Sequence, residues 1–258
     1  MKTCRGWIEA SPVSAQHDPE LYGHLVADHY DELYADAPET LAAVERLAEL
    51  AYGGPVHELG IGTGRLALPL LYRGLAVHGT ESSEAMVSKL QAKPRGAEIP
   101  ITIGDFSEVS ASGGPFSLAF VAFNTIFALA SESAQIACFQ RVSRSLGPGG
   151  RFLIEAFVLD PRDFRHGRAI EIRTMSAERV ELQLAEYDEV EQKLKRVFLS
   201  VRDGRTELHV ASDTYATPRE LDLMARMADL ELDHRWADWD KSPFTAHSTR
   251  HVSVYVKR

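Results

Sequence analysis

Residues 56–65 read Val56-His57-Glu58-Leu59-Gly60-Ile61-Gly62-Thr63-Gly64-Arg65. A short apolar run carries an acid, Glu58, into three alternating glycines, and residues with helical apolar spacing follow at once. Glycine serves where a backbone turns sharply or must let a ligand come close, because it has no Cβ to clash. At the carboxyl end of a first strand, such a loop occupies the binding crevice of an open α/β sheet. The stretch therefore predicts strand, ligand-binding loop and helix in succession.

Outward from this loop, strand-like and helix-like segments alternate. Strands are expected over 56–59, 75–80, 99–103, 116–123 and 152–158, and helices over 65–71, 84–90 and 133–146. Ser82 or Ser83 can cap the second of these helices. Upstream, Asp36 and Pro38 suit a helix start, and Leu41, Val44, Leu47 and Ala48 form one apolar stripe. The runs 99–103 and 116–123 are β-branched, aromatic and nearly continuous, as in buried strands. Gly147-Pro148-Gly149-Gly150 marks the turn into the fifth strand. Such alternation implies a parallel sheet with right-handed crossovers.

After Asp160 the pattern changes. Residues 169–216 alternate polar and apolar, with Asp203-Gly204 between two runs as a hairpin turn. They predict an antiparallel sheet covered on one face. Thr217-Pro218-Arg219-Glu220 is a capping box with proline at the first helical position. Leu221, Met224, Ala225 and Ala228 continue that helix, and strand-like segments over 230–236 and 251–257 close the chain. The expected organisation is one domain over 1–258. A cofactor-binding core covers 36–160, an antiparallel insertion 161–216, and the last helix and strands 217–258.

Composition restricts the function classes. Of 258 residues, 45% are hydrophobic and 25% charged, and the formal net charge is −9. That is an ordinary globular composition without the basic footprint of a nucleic-acid binder. No apolar run approaches the ~20 residues of a membrane span, and the amino terminus lacks a secretion-signal core. The two cysteines, Cys4 and Cys138, have no metal-type spacing, and a cytoplasmic location is expected. His247 and His251 read as a loop residue and a strand-edge residue, and no metal is expected.

Four polar landmarks fall where successive parallel strands end: Glu58, Glu81, Asp105 and Asn124. Glu81 follows Gly60 by 21 residues, where a carboxylate can take both hydroxyls of an adenosine ribose. Asp105 can accept from an exocyclic adenine amine while Phe106 packs on the base. A nicotinamide-dinucleotide fold wants G-x-G-x-x-G and a pyrophosphate at the next helix N-terminus. Here the spacing is G-x-G-x-G, and a carboxylate two residues before the first glycine repels a pyrophosphate but suits a cationic amine.

The residues resemble the class I S-adenosylmethionine-dependent methyltransferases. The matching features are Glu58 to Gly64, Glu81, the Ser83-Glu84-Ala85-Met86 turn, Asp105-Phe106 and Pro148-Gly149-Gly150. The resemblance covers roughly 20–160 and the last two strands. It implies an α/β, Rossmann-like seven-stranded sheet flanked by helices, with the antiparallel insertion after strand five. It also implies S-adenosyl-L-methionine as cofactor and S-adenosyl-L-homocysteine as product. On that resemblance the cofactor contacts are Tyr22, Tyr30, Glu58, Gly60, Gly62, Gly64, Arg65, Glu81, Ser82, Met86, Asp105, Phe106 and Phe123.

Within the family the layout is similar to small bacterial natural-product enzymes, the N-methyltransferases of amino sugars and of peptide amines. The similarity rests on the Tyr30-Asp31-x-x-Tyr34 lead-in and the insertion, which in such enzymes roofs the acceptor pocket or builds a dimer. Residues 123–128 lack the histidine that several amino-sugar enzymes carry there. Methyl transfer from a sulfonium is an in-line displacement in which orientation is worth ~7–11 kcal/mol. An amine that binds neutral needs no strong base, whereas a hydroxyl benefits from one. Nitrogen is thus favoured over oxygen, with Tyr30, Tyr34 and Asn124 as catalytic candidates and Tyr22, His166 and Tyr215 as further polar groups near the acceptor. Trp236, Trp239 and Phe244 can line an apolar pocket or pack against the last helix. The acceptor is a small molecule or a peptide, and the protein a monomer or homodimer. An O-methyltransferase, a nicotinamide-dependent oxidoreductase and a catalytically silent cofactor-binding subunit remain alternatives.

Overall fold

The computed structural model describes Ala27, Tyr30, Asp31, residues 39–202 and residues 204–258. Asp36, Pro38 and Asp203 lie outside the described residues. The seven-stranded sheet has the order β10-β11-β5-β4-β1-β2-β3. Its strands are β1 (Val56–Leu59), β2 (Val77–Glu81), β3 (Ile101–Ile103), β4 (Phe116–Val121), β5 (Leu146–Phe157), β10 (Leu230–Trp236) and β11 (Arg250–Lys257). β1 to β5 run parallel, while β11 is antiparallel to both β5 and β10. The chain leaves β1 for β2 and β3 on one side and returns to β4 on the other, which opens a crevice at their carboxyl ends.

Both faces of this sheet are covered, and β4 shows why its sequence is continuously apolar. Leu118 and Phe120 belong to the core shared with α1 (Glu39–Ala51) and α2 (Ala67–Tyr72). Ala119 and Val121 belong to the opposite core, with Phe139 and Val142 of α4 (Glu132–Ser145) and Leu221 and Met224 of α5 (Pro218–Met227). Each large apolar side chain buried this way contributes about 1.5–3 kcal/mol. Cys138 is fully buried among them as a small hydrophobe. Thr217 and Glu220 form the reciprocal capping box at the start of α5.

Three local expectations are corrected. The helix expected from residue 65 begins at Ala67, which places Pro69 in the first turn, where its missing N–H is not needed. Gly64, Arg65 and Leu66 therefore stay in the loop. The strand expected over 99–103 is short and not buried: β3 is the sheet's edge, with Ile103 46% exposed. His251 is wholly buried in β11, its Nδ1 paired with the Ser253 hydroxyl, rather than at a strand edge.

The insertion forms a second, antiparallel sheet of β6 (Arg168–Met175), β7 (Arg179–Asp188), β8 (Lys193–Arg202) and β9 (Arg205–Thr214). Arg202 pairs with Arg205, so the last hairpin closes in two residues, with Gly204 at φ 72°. The register aligns Ile172, Leu182, Leu199 and Leu208 in one cross-strand row, and Ile170, Leu184, Val197 and Val210 in the next. These rows share one face, yet Ile170, Ile172 and Leu208 are 72%, 60% and 66% exposed. The covered face is instead the mixed one, whose Tyr187 and Leu194 join the core beside Phe164 and Tyr215. The expectation of one covered face holds only at the foot of the sheet, and for the less apolar side.

Candidate active site

The glycine loop follows β1 at the crevice, and its three glycines have different tasks. Gly60 has φ 70°, and a Cβ there would meet Thr125 Cγ2 at 2.6 Å. Gly64 has φ 83° and is closed off by Leu90 and Leu68. Gly62, at φ 55°, faces open space, and its N–H donates to Glu81 Oε2 at 2.8 Å. Packing thus demands the outer glycines, and only the middle one leaves room for a ligand.

Glu58 lies beneath this loop, 5% exposed, and its Oε2 has no hydrogen-bond partner. Burial pushes its carboxyl up to about 8; Arg65 opposes this and the Glu81 carboxylate adds to it. A buried acid with an orphaned oxygen fits a ligand that brings a donor or a cation. Glu81, at the end of β2, also accepts from Ser83 N at 3.0 Å, with the Ser82 hydroxyl at 3.5 Å. Ser83, rather than Ser82, caps α3 (Glu84–Gln91) by accepting from Met86 N at 3.4 Å. Met86 itself is 4% exposed.

On the far side, Asp105 Oδ1 accepts from Ser107 N at 2.7 Å, and Phe106 packs half-buried against the core. The turn after β4 is unusual: Phe123 and Asn124 have φ of 58° and 66°. At Phe123 this left-handed backbone costs about 1–3 kcal/mol and persists only where surroundings enforce it, whereas asparagine tolerates it. Here Asn124 Oδ1 accepts from Phe157 N at 2.6 Å, and Asn124 N donates to the Glu155 carbonyl. The Glu155 side chain accepts from Phe123 N. Arg65 lies 5.0 Å from the Phe123 ring centroid and donates to Thr40 Oγ1 at 3.0 Å.

The lead-in reaches the same loop. Thr63 Oγ1 donates to Asp31 Oδ1 at 2.6 Å, and Lys93 Nζ bridges Asp31 and the Thr63 carbonyl. Partial burial raises the Asp31 carboxyl, but Lys93 and Thr63 outweigh it and hold it below its ordinary value. Tyr30, half-buried, is the adjoining residue; Tyr22 and Tyr34 lie outside the described residues.

Of the remaining candidates, Tyr215 borders the turn after β4 through Phe127 and Phe157. Tyr215 is 4% exposed, its hydroxyl accepts from Leu159 N, and its ring stacks on Phe157. Trp236 and Trp239 pack on the α1 side of the sheet, away from α5, with Arg46 over the Trp236 ring. Phe244 meets His251 and Arg235. His166 is a left-handed loop residue at φ 52°. Glu155, Asp31 and Lys93 were missed as site residues: Glu155 reads as one polar residue in a buried strand, and the pairing of Asp31 with Lys93 spans 62 residues. Among the described residues, no cluster of histidine, cysteine, aspartate or glutamate could hold a metal ion.

A sheet in which only β11 runs against the other strands, with an acid-bearing glycine loop at the switch point, defines a Rossmann-like methyltransferase. The family profile described as a methyltransferase domain matches residues 56–150. The CcbJ methyltransferase structure from Streptomyces caelestis has a TM-score of 0.85 and 36% identity over 93% of this chain and 100% of that one. The cypemycin N-terminal methyltransferase of a Streptomyces species is 26% identical over 93% of this chain and 99% of its own. A sugar N-methyltransferase from Streptoalloteichus has the same fold, with a TM-score of 0.66 at 18% identity over 98% of this chain and 99% of its own. The chain belongs to the S-adenosylmethionine-dependent methyltransferases. Among the described residues, no helix is long and apolar enough to cross a membrane.

Proposed function

We propose that the enzyme methylates an amine nitrogen of a small natural product or a peptide, and that it acts in the cytoplasm without a metal. The supporting observation is whole-length similarity to a peptide N-terminal methyltransferase. The neutral amine lone pair attacks the methyl carbon, the carbon–sulfur bond breaks with its electrons passing to sulfur, and S-adenosyl-L-homocysteine leaves. The product ammonium then loses its proton to solvent. In this reading Glu58 and Gly62 receive the methionine portion, Glu81 and Ser82 the ribose, and Asp105 and Phe106 the adenine. Tyr30, Tyr34 and Asn124 orient the acceptor, Asn124 through its amide NH2, since its oxygen is engaged by Phe157. Residues 36–160 act as the cofactor core, 161–216 as the acceptor roof, and 217–258 complete the sheet.

A panel of peptides with free amino termini and of amino sugars, incubated with deuteromethyl-labelled cofactor, tests this. Fragmentation should map the label to nitrogen. A label on oxygen would assign an O-methyltransferase, and cofactor binding without transfer to any member of the panel would count against the amine reading.

A further inference from the structure

The turn after β4 forms one wall of the glycine loop. Thr125 Cγ2 lies only 2.6 Å from where a Cβ of residue 60 would be. Two residues earlier, Phe123 lies under Arg65, the residue that leaves the loop. This wall is built on two successive left-handed residues; Asn124 tolerates that backbone, but an aromatic such as Phe123 does not, so something must hold Phe123 in that conformation.

Glu155 on β5 is suited to that task. It is 6% exposed, and its carboxylate accepts the Phe123 N–H while its carbonyl accepts the Asn124 N–H at 3.2 Å. Both left-handed residues are therefore tied to one residue of the neighbouring strand. Burial pushes the Glu155 carboxyl up, opposed by the Phe123 N–H, Arg250 of β11 and Arg65, while Glu39 of α1 adds to it. A surface turn needs no buried acid, and burying a carboxylate to hold one backbone N–H is worthwhile only if the position of that backbone matters.

We propose that Glu155 is a positioning residue: it holds the left-handed turn at Phe123 and Asn124 against the glycine loop and so sets the width of the cofactor cleft. The proposal rests on the reading of that loop as the cofactor seat. Glu155 acts through the turn and need not touch the cofactor.

The test uses the full chain, with S-adenosyl-L-homocysteine as calorimetric probe and thermal melting as a parallel readout. Glu155→Gln keeps an oxygen for the Phe123 N–H, and its affinity should stay within about threefold of the parent. Glu155→Leu fills the buried volume without an acceptor, and its affinity should fall about tenfold at a temperature where it remains folded. Hydrogen exchange of the parent provides a measurement that needs no variant: the amides of 123 and 124 should be protected, and more strongly when the probe is bound. Parental affinity in Glu155→Leu would overturn the proposal, as would equal losses in both variants or exchange at 123 and 124 indifferent to the probe. A parent that fails to bind the probe would instead overturn the cofactor reading, and the proposal with it.

Discussion

Glu58 is where chemistry, stability and cofactor binding meet in one residue. Its carboxyl stays protonated up to about pH 8 in the folded chain, against an ordinary value of 4.5. Between those values the unfolded chain has released this proton and the folded chain has kept it, so stability falls as pH rises. Below pH 4.5 both forms are protonated and the contribution is fully present; it is lost through the window up to 8. The ligand-free protein should therefore lose stability on the order of 4 kcal/mol across that window, relative to Glu58→Gln. Denaturant unfolding of the two proteins at several pH values checks this, and parallel pH profiles would contradict it. Cofactor affinity should rise over the same window, since a cationic amine pairs with the ionised acid. The acid and the glycines were legible in the sequence because their spacing is local. That packing occupies the outer two glycines was not legible, because Thr125 and Leu90 arrive from distant segments.

At the scale of elements, the order of strands and helices was readable from periodicity, and the errors fall where neighbours decide. β3 carries an apolar sequence but occupies an edge, and nothing within residues 99–103 indicates which strand has only one neighbour. Alternation over 169–216 correctly predicts antiparallel strands, yet alternation alone does not say which face meets the body. The structure answers with Tyr187, which is 9% exposed and packed with Phe164 and Tyr215. The second sheet is thereby anchored in the core rather than appended to it. Tyr187→Ala should cost about 3 kcal/mol, comparable with other large aromatic truncations, as measured by denaturant unfolding. A loss below about 1 kcal/mol would mean that the sheet folds independently of the core.

At the scale of the whole molecule, one face of the second sheet stays exposed among the described residues. Two cross-strand rows of leucine, isoleucine and valine share one side of the β6–β9 sheet, with Ile170, Ile172 and Leu208 the most exposed, and contiguous exposed apolar patches mark interaction sites. Two such faces from identical copies can stack at the usual sheet spacing of about 10 Å. We therefore expect a homodimer in solution, and Ile172→Glu should convert it to a monomer while cofactor binding is retained. Sedimentation velocity checks this, and a parent that is monomeric at micromolar concentration would contradict it. The sequence left monomer and dimer open, since only the register reveals that these side chains share a face.

The central claim, that the acid-bearing loop seats the methyl donor, rests on the space above Gly62. Gly62→Asn tests it most directly, because asparagine tolerates the left-handed backbone that φ 55° requires while its side chain enters that space. Calorimetric titration of S-adenosylmethionine should give one site per chain in the parent. In the variant, the affinity should be at least a hundredfold weaker, with an unchanged circular dichroism spectrum. Equal affinity in the two proteins would contradict the account.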